Sequence, residues 1–421
     1  MILIVESVKL FWIVLQCMIG YNLLMPVLFF LFFQIKRCWL WIVAQNSAQK
    51  SEQRFAQNNA PKIATDKHST HTEADYAIII TAYEQTDTLH AVVASVLKAD
   101  YANYIIYIVA DKCDISHLHF DDERVVLLKP ETVLSGNTRS HFYAINRFRR
   151  NHERLIILDS DNLISSNFIK ELNGFFDKGF EAVQGYRAPK NLDTVYARLD
   201  AARDIYYHYY DGKLLFDIGS SATLSGSGMA FTVSLYRACL ENNDVNGAGF
   251  DKVLQKEIVE RGYRIAYAEN ALVYDEKTSQ PVQLVQQRAR WINTWFKYFS
   301  FGFGLMWKGI VQFDFNRFLF GLVLLRPPLF IFLILSMGFL LVNVMISPTT
   351  AFIWMLGFGL FIAGFLLSLI FGKADKSIYQ ALWGIPRFVF FQVSSLGKVR
   401  RANQHSVATK HYHTDKTTSG F

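Results

Sequence analysis

Three stretches of the chain are almost unbroken in apolar residues, and they sit at its two ends: 11–33, Leu329–Ile346 and 351–371. Each is long enough to cross a bilayer as a helix. Only Ser347-Pro348-Thr349-Thr350 separates the last two, a break suited to a helical hairpin. The first is too long for a signal-peptide core, and no small-residue cleavage site follows it. The middle of the chain is patterned differently. Short apolar runs at 76–81, 104–110, 124–128 and 155–158 alternate with helical spacing at 88–98 and 137–149. Such alternation predicts an α/β fold with a mostly parallel sheet covered on both faces. Beyond residue 185 the alternation weakens. A helix dense in Tyr and Arg is predicted over 192–215, a Gly/Ser-rich turn over 219–228 and a further helix over 252–261.

The polar segments complete a domain plan. Residues 1–43 form a transmembrane helix. Residues 44–75, rich in Gln, Asn, Thr, Lys and His, form a tether. A folded domain follows over 76–291. An amphipathic segment over 292–328 belongs to a stretch carrying Trp291, Trp295, Phe296, Tyr298 and Trp307, residues that favour the headgroup level. The hairpin occupies 329–371. In 372–421 an apolar run at 378–396 contains Pro386 and Arg387 and is predicted to lie in the interface, ahead of a basic tail.

Charge fixes the orientation. The net charge is +7, and the basic residues cluster at the ends of the spans: Lys36 and Arg37 after the first, Arg317 and Arg326 before the hairpin, Lys373 and Lys376 after it. Cations at these places put the folded domain on the cytoplasmic side of the cell membrane. They match anionic lipid headgroups and a diphosphate ligand, and nucleic acid is not implied. Cys17, Cys38, Cys113 and Cys239 form no Cys-x-x-Cys pair, so neither a zinc site nor a disulfide framework is indicated.

Candidate chemistry begins at Leu155-Ile156-Ile157-Leu158-Asp159-Ser160-Asp161. A buried strand delivers two carboxylates at its C-terminal end, where open α/β sheets place ligands. Mg²⁺ is commonly held through one or two carboxylates together with substrate phosphates. Taken alone, the run is equally compatible with a turn. Thr81-Ala82-Tyr83-Glu84 follows the first strand and Asp111 the second, and these carboxylates suit hydrogen bonds from a base or a sugar, or simply solvated turns. Gly249-Phe250-Asp251 places a carboxylate at a helix start, fit for a general base or for a cap. Gln287-Arg288-Ala289-Arg290-Trp291 combines an amide, cations and an indole; the plainer alternative is a basic, Trp-bearing helix on the membrane surface.

In this order the motifs resemble the family-2 glycosyltransferases, specifically the membrane-integrated cellulose, chitin and hyaluronan synthases. The resemblance covers residues 76–291 and the membrane helices. It implies a nucleotide-diphospho-sugar transferase domain (GT-A-like) and inverting transfer of a sugar from a UDP-sugar to a hydroxyl of a growing polysaccharide. It implies that Thr81, Tyr83, Glu84, Asp111, Asp159 and Arg290 bind the donor, and that Asp159 and Asp161 hold Mg²⁺ or Mn²⁺. It implies Asp251 as the base, with Gly226, Gly228, Gln287 and Trp291 binding the acceptor. The sequence departs from the family at Asn137, where Lys is usual, and at Phe250, where an acidic residue is usual. Single-sugar transfer to a lipid-linked acceptor stays open, as does an inactive glycan- or nucleotide-binding regulator of a partner synthase. A homo-oligomer or an export partner would add spans to a channel for which three are few.

Overall fold

The computed structural model describes residues 2–57, 73–245 and 247–401. The chain opens with α1 (Ile2–Gln57), one helix that continues into the stretch expected as a tether; the rest of that stretch, 58–72, lies outside the described residues, as does the basic tail beyond 401. The folded domain then alternates. β1 (Tyr76–Tyr83), α2 (Leu89–Leu97), β2 (Tyr104–Asp111), β3 (Val125–Leu128) and α3 (Asn137–Ile145) lead to β4 (Arg154–Asp159). β5 (Leu163–Ile164), α4 (Phe168–Phe176) and β6 (Ala182–Pro189) follow.

One long helical run comes next: α5 (Val195–Tyr207), a π-helical segment His208–Leu214, and the short α6 (Leu215–Asp217). β7 (Met229–Thr232), α7 (Val233–Leu240), α8 (Phe250–Glu260) and β8 (Ile265–Asp275) close the domain. The helices α9 (Pro281–Tyr298), α10 (Phe301–Val311) and α11 (Phe315–Leu325) lead to α12 (Leu329–Ile346) and α13 (Pro348–Phe371), and α14 (Lys376–Ala381), α15 (Ile385–Ser395) and a 3₁₀ segment (Leu396–Arg401) close the described chain.

The sheet runs β3-β2-β1-β4-β7-β6-β8-β5. It is mixed, not mostly parallel as the alternation predicts. β3, β2, β1 and β4 are parallel neighbours, and so are β6 and β8, but β7 lies antiparallel between β4 and β6, and β5 is antiparallel to β8. A parallel neighbour needs a crossover of a dozen or more residues. β5 leaves β4 after a turn at 160–162, too short for a crossover, and so runs back from the same edge. Strands buried on both faces need continuous apolar sequence. β2 is buried at every position, and Ile78–Ile80 of β1 and Leu155–Leu158 of β4 are buried too.

Among the described residues, three helices are long and apolar enough to cross a membrane: α1 within Glu6–Gln45, α12 and α13. Small residues let α13 approach α1 closely: Gly357 faces Leu23 and Gly364 faces Pro26. The π-helical segment and α6 are fastened to this bundle. The Tyr210 hydroxyl donates to the Gly364 carbonyl at 2.8 Å, Tyr209 stacks on Phe371, and Lys36 Nζ donates to the Asp217 carbonyl at 2.6 Å. The 378–396 run is split into α14, a 3₁₀ turn and α15, none of them long enough to span, and it packs back on the domain through Tyr196 and Phe391.

Candidate active site

One cavity of about 1540 Å³ runs from the C-terminal ends of the central strands to the start of α12. Strand register builds its first end. β1 pairs Tyr83 with Asp111 of β2 and Thr81 with Asp159 of β4, so three parallel strands deliver these residues to one edge. Thr81, Tyr83, Asp111, Asp159 and Asp161 all line the cavity. Asp111 is 2% exposed, and its two oxygens accept the backbone N–H groups of Leu134 (2.9 Å) and Ser135 (2.8 Å). This carboxylate anchors the loop ahead of α3, in which Ser135 takes a positive φ of 48°. Glu84 does not reach the cavity wall. Its φ of 60° turns it to the surface, where it pairs with Lys112 at 2.6 Å.

Asp159 and Asp161 flank the turn after β4. Asp161 is 6% exposed and accepts from Asn162 Nδ2 at 3.1 Å. Among the described residues, no group of three or more His, Cys, Asp or Glu side chains could hold a metal ion. A pair of carboxylates on a cavity wall fits a divalent ion that takes its remaining ligands from a phosphate-bearing substrate.

Two helices bring Asp251 (α8) and Gln287, Arg290 and Trp291 (α9) to the same cavity wall. The start of α8 is pressed onto α9: Gly249 has φ +103°, and a Cβ there would lie 2.6 Å from the Tyr298 ring and 2.7 Å from Thr294 Cγ2. Only glycine meets both demands. Gly249 takes the N-cap place itself, so Asp251 lies in the first helical turn without capping it, favourably placed for the helix dipole. Its Oδ2 pairs with Lys252 Nζ at 2.9 Å, and the same ammonium donates to the Leu224 carbonyl at 3.2 Å. Phe250 is 4% exposed and packs edge-on to His141, whose Nδ1 meets the Tyr236 hydroxyl at 2.6 Å. Burial pushes the His141 imidazole down to about 3, so it is neutral.

Gln287 Oε1 accepts from the Thr278 hydroxyl at 3.1 Å, and burial pushes the Arg290 guanidinium down from its usual range. Gly226, with φ +90°, is on the wall; Gly228 is not. Gly228 instead locks the sheet: its N–H donates to the Ile157 carbonyl, its carbonyl accepts from Gly185, and a Cβ would lie 2.6 Å from Val273.

The sequence pattern missed a buried ionic network along this cavity. Asp275, at the end of β8, pairs with Arg187 of β6 and with Lys277 (2.8 Å). Lys277 reaches Asp204 of α5 at 2.6 Å, Arg203 pairs with both Asp204 and Asp200 (3.2 Å to the latter), and Asp200 also receives Arg288 of α9. Separately, Arg326 pairs with Asp211 in the π-helical segment. Burial pushes the Asp275 carboxyl up, but Arg187 and Lys277 outweigh it and hold the group well below the usual range. Burial likewise pushes Lys277 down, and Asp204 and Asp275 hold it up. The available signal was the spacing of Asp200, Arg203 and Asp204 within an otherwise aromatic and apolar helix.

A family model described as "Glycosyltransferase like family 2" matches residues 74–294. Among solved structures, the chain is similar to S. aureus TarS 1–349 in complex with UDP-GlcNAc, with 16% identity and a TM-score of 0.35, over 49% of this chain and 59% of that one. It is also similar to the mannosyltransferase PcManGT from Pyrobaculum calidifontis in complex with GDP-Man and Mn²⁺, with 13% identity and a TM-score of 0.49, over 91% and 98% of the two chains. No curated protein matches it.

Proposed function

The chain belongs to glycosyltransferase-like family 2, whose model covers more than half of it, and on that premise we propose a membrane-integrated, inverting enzyme of the synthase kind. It moves a sugar from a UDP-sugar to a hydroxyl of a growing saccharide at the cytoplasmic face of the cell membrane. The observation that carries this reading is the cavity whose wall holds Asp159 and Asp161, from the end of a strand, together with Asp251, Gln287, Arg290 and Trp291, from two helices.

In the proposed reaction the Asp251 carboxylate takes the proton of the acceptor hydroxyl. The freed oxygen attacks the anomeric carbon, the carbon–oxygen bond to UDP breaks, and UDP leaves with the electron pair. Arg290 meets the charge that grows on the diphosphate. Mg²⁺ or Mn²⁺ held by Asp159 and Asp161 would supply Lewis-acid neutralisation of the same charge. Lys252 pairs with one oxygen of Asp251, Oδ2, and donates to the Leu224 carbonyl as well, so the proton goes to the other carboxylate oxygen. Gln287 and Trp291 hold the acceptor.

A second reading, transfer to a lipid-linked acceptor, is favoured by one observation. The cavity wall continues over Phe301, Val323, Leu324, Leu329 and Phe330, the last two being the first residues of a candidate membrane span. Radiolabelled UDP-sugars given to the purified protein in lipid test both readings. Long water-soluble products support the synthase, and a single labelled sugar in the organic phase supports the lipid acceptor. No transfer from any UDP-sugar overturns both and leaves the inactive regulator. Labelling an engineered cysteine at position 405 from outside intact cells would overturn the cytoplasmic placement of the tail.

A further inference from the structure

We propose that Asp200, Arg203 and Arg288 are positioning residues that hold the Trp291 indole in place as the acceptor platform. The inference rests on the reading of Trp291 given above. Trp291 lines the cavity and is 44% exposed. A tryptophan so exposed on a helix surface has two side-chain torsions to settle and little apolar packing to settle them. Here two cations do it. The guanidinium carbons of Arg203 and Arg288 each lie 4.2 Å from the centre of the ring. Arg288 sits one turn earlier on α9, and Arg203 reaches over from α5.

Both guanidinium groups converge on one oxygen, Asp200 Oδ1: Arg203 Nη2 at 3.2 Å, and Arg288 Nη2. Arg203 is braced a second time by Asp204, which Lys277 holds at 2.6 Å. The clamp is therefore fixed from α5, from the segment after β8, and from α9 itself. A cation over an indole is held more strongly when the cation is withdrawn from water. Asp200, Arg203 and Arg288 all have less than a tenth of their surface exposed.

Stability does not explain the cluster. Arg288 Nε and Nη1 and Arg203 Nε are buried without hydrogen-bond partners, and unfilled buried donors are costly. Apolar side chains of similar volume commonly do as well or better than buried ion pairs. Fixing the plane and tilt of an exposed ring is a task apolar neighbours perform less well.

The test uses the full chain in lipid with Mn²⁺ and the radiolabelled UDP-sugar that supports turnover. It compares labelled glycoside with labelled free sugar released to water, alongside UDP affinity by calorimetry. Arg203→Lys and Arg288→Lys keep the charge opposite Asp200 and lose the planar group. Each is expected to lower transfer about tenfold while leaving donor hydrolysis and UDP affinity unchanged. Combining either with Trp291→Ala is expected to lose no more than Trp291→Ala alone, since the arginines act through that ring. The proposal is overturned if both lysine variants transfer at the parent rate. It is also overturned if their losses multiply with that of Trp291→Ala, or if UDP affinity and hydrolysis fall in step with transfer. Parent-level transfer by Trp291→Ala alone overturns the platform reading itself and the clamp with it, an outcome distinct from the others.

Discussion

Two sets of residues on the cavity wall are positioned by different means. On the side proposed to bind the donor, the groups stand on strand termini. Thr81, Asp111 and Asp159 are set by parallel register, and the Asp111 carboxylate fixes the loop ahead of α3 by accepting from the Leu134 and Ser135 N–H groups. On the side proposed to hold the acceptor, Asp251, Gln287 and Trp291, with the proposed diphosphate partner Arg290 beside them, stand on two helices, and those helices are fastened by buried charges and one glycine contact. The difference teaches where each end is vulnerable. A sheet edge keeps its strand register when one side chain is lost, because that register lies in the main chain. A helix face held by ion pairs loses its aim when one partner goes, since an uncompensated buried charge is left behind.

The sharpest break of the acceptor end is Asp251→Asn. Transfer is expected to fall by on the order of 10³-fold, within the range for a lost general base, while calorimetry still shows UDP binding. Residual transfer near the parent rate would remove Asp251 from the chemistry.

At the donor end, Asp161→Asn is expected to lower turnover by on the order of 10²-fold with an unchanged melting temperature, and the parent enzyme should stop in EDTA and recover with Mn²⁺. Parent-level turnover by Asp161→Asn in EDTA would leave the carboxylate pair with a structural role only.

Trp291→Ala separates the ends more finely. Losing an aromatic platform costs about 1–3 kcal/mol, so products should shorten, or elongation slow by at least tenfold, while UDP affinity holds. Sizing the products of matched reactions decides it.

The smallest effect concerns the support behind Asp251. Burial holds His141 at about 3 in the folded protein, against 6.5 for the free group. The unfolded chain therefore takes up the proton first as pH falls. Stability is full above about 6.5 and declines toward about 3. Melts at pH 7 and 5.5 should differ by on the order of 1 kcal/mol through this group, and His141→Phe, which keeps a ring beside Phe250, should remove that part of the slope. An identical pH dependence in parent and variant would show that the proton goes elsewhere.

Much of the donor end follows from local pattern. A run such as Leu155–Leu158 ending in Asp159 and Asp161 carries its own strand, burial and edge placement, because a doubly buried strand must be apolar and must turn polar where it emerges. The three membrane-length helices follow from length and hydropathy in the same way. Tertiary structure alone decided the rest. Whether Asp111 faces a ligand or its own loop depends on the backbone of Leu134 and Ser135, more than twenty residues away. Glu84 and Gly228 sit in motifs of the right composition, yet a positive φ turns one to solvent and the sheet claims the other. The antiparallel strands β5 and β7 were hidden because strand direction is set by where a connection ends, not by the apolar pattern of the strand. The network from Arg187 to Arg288 joins two strands and two helices that are distant in sequence. A charged residue in an apolar helix announces that it needs a partner, and only the packed fold says which one it finds.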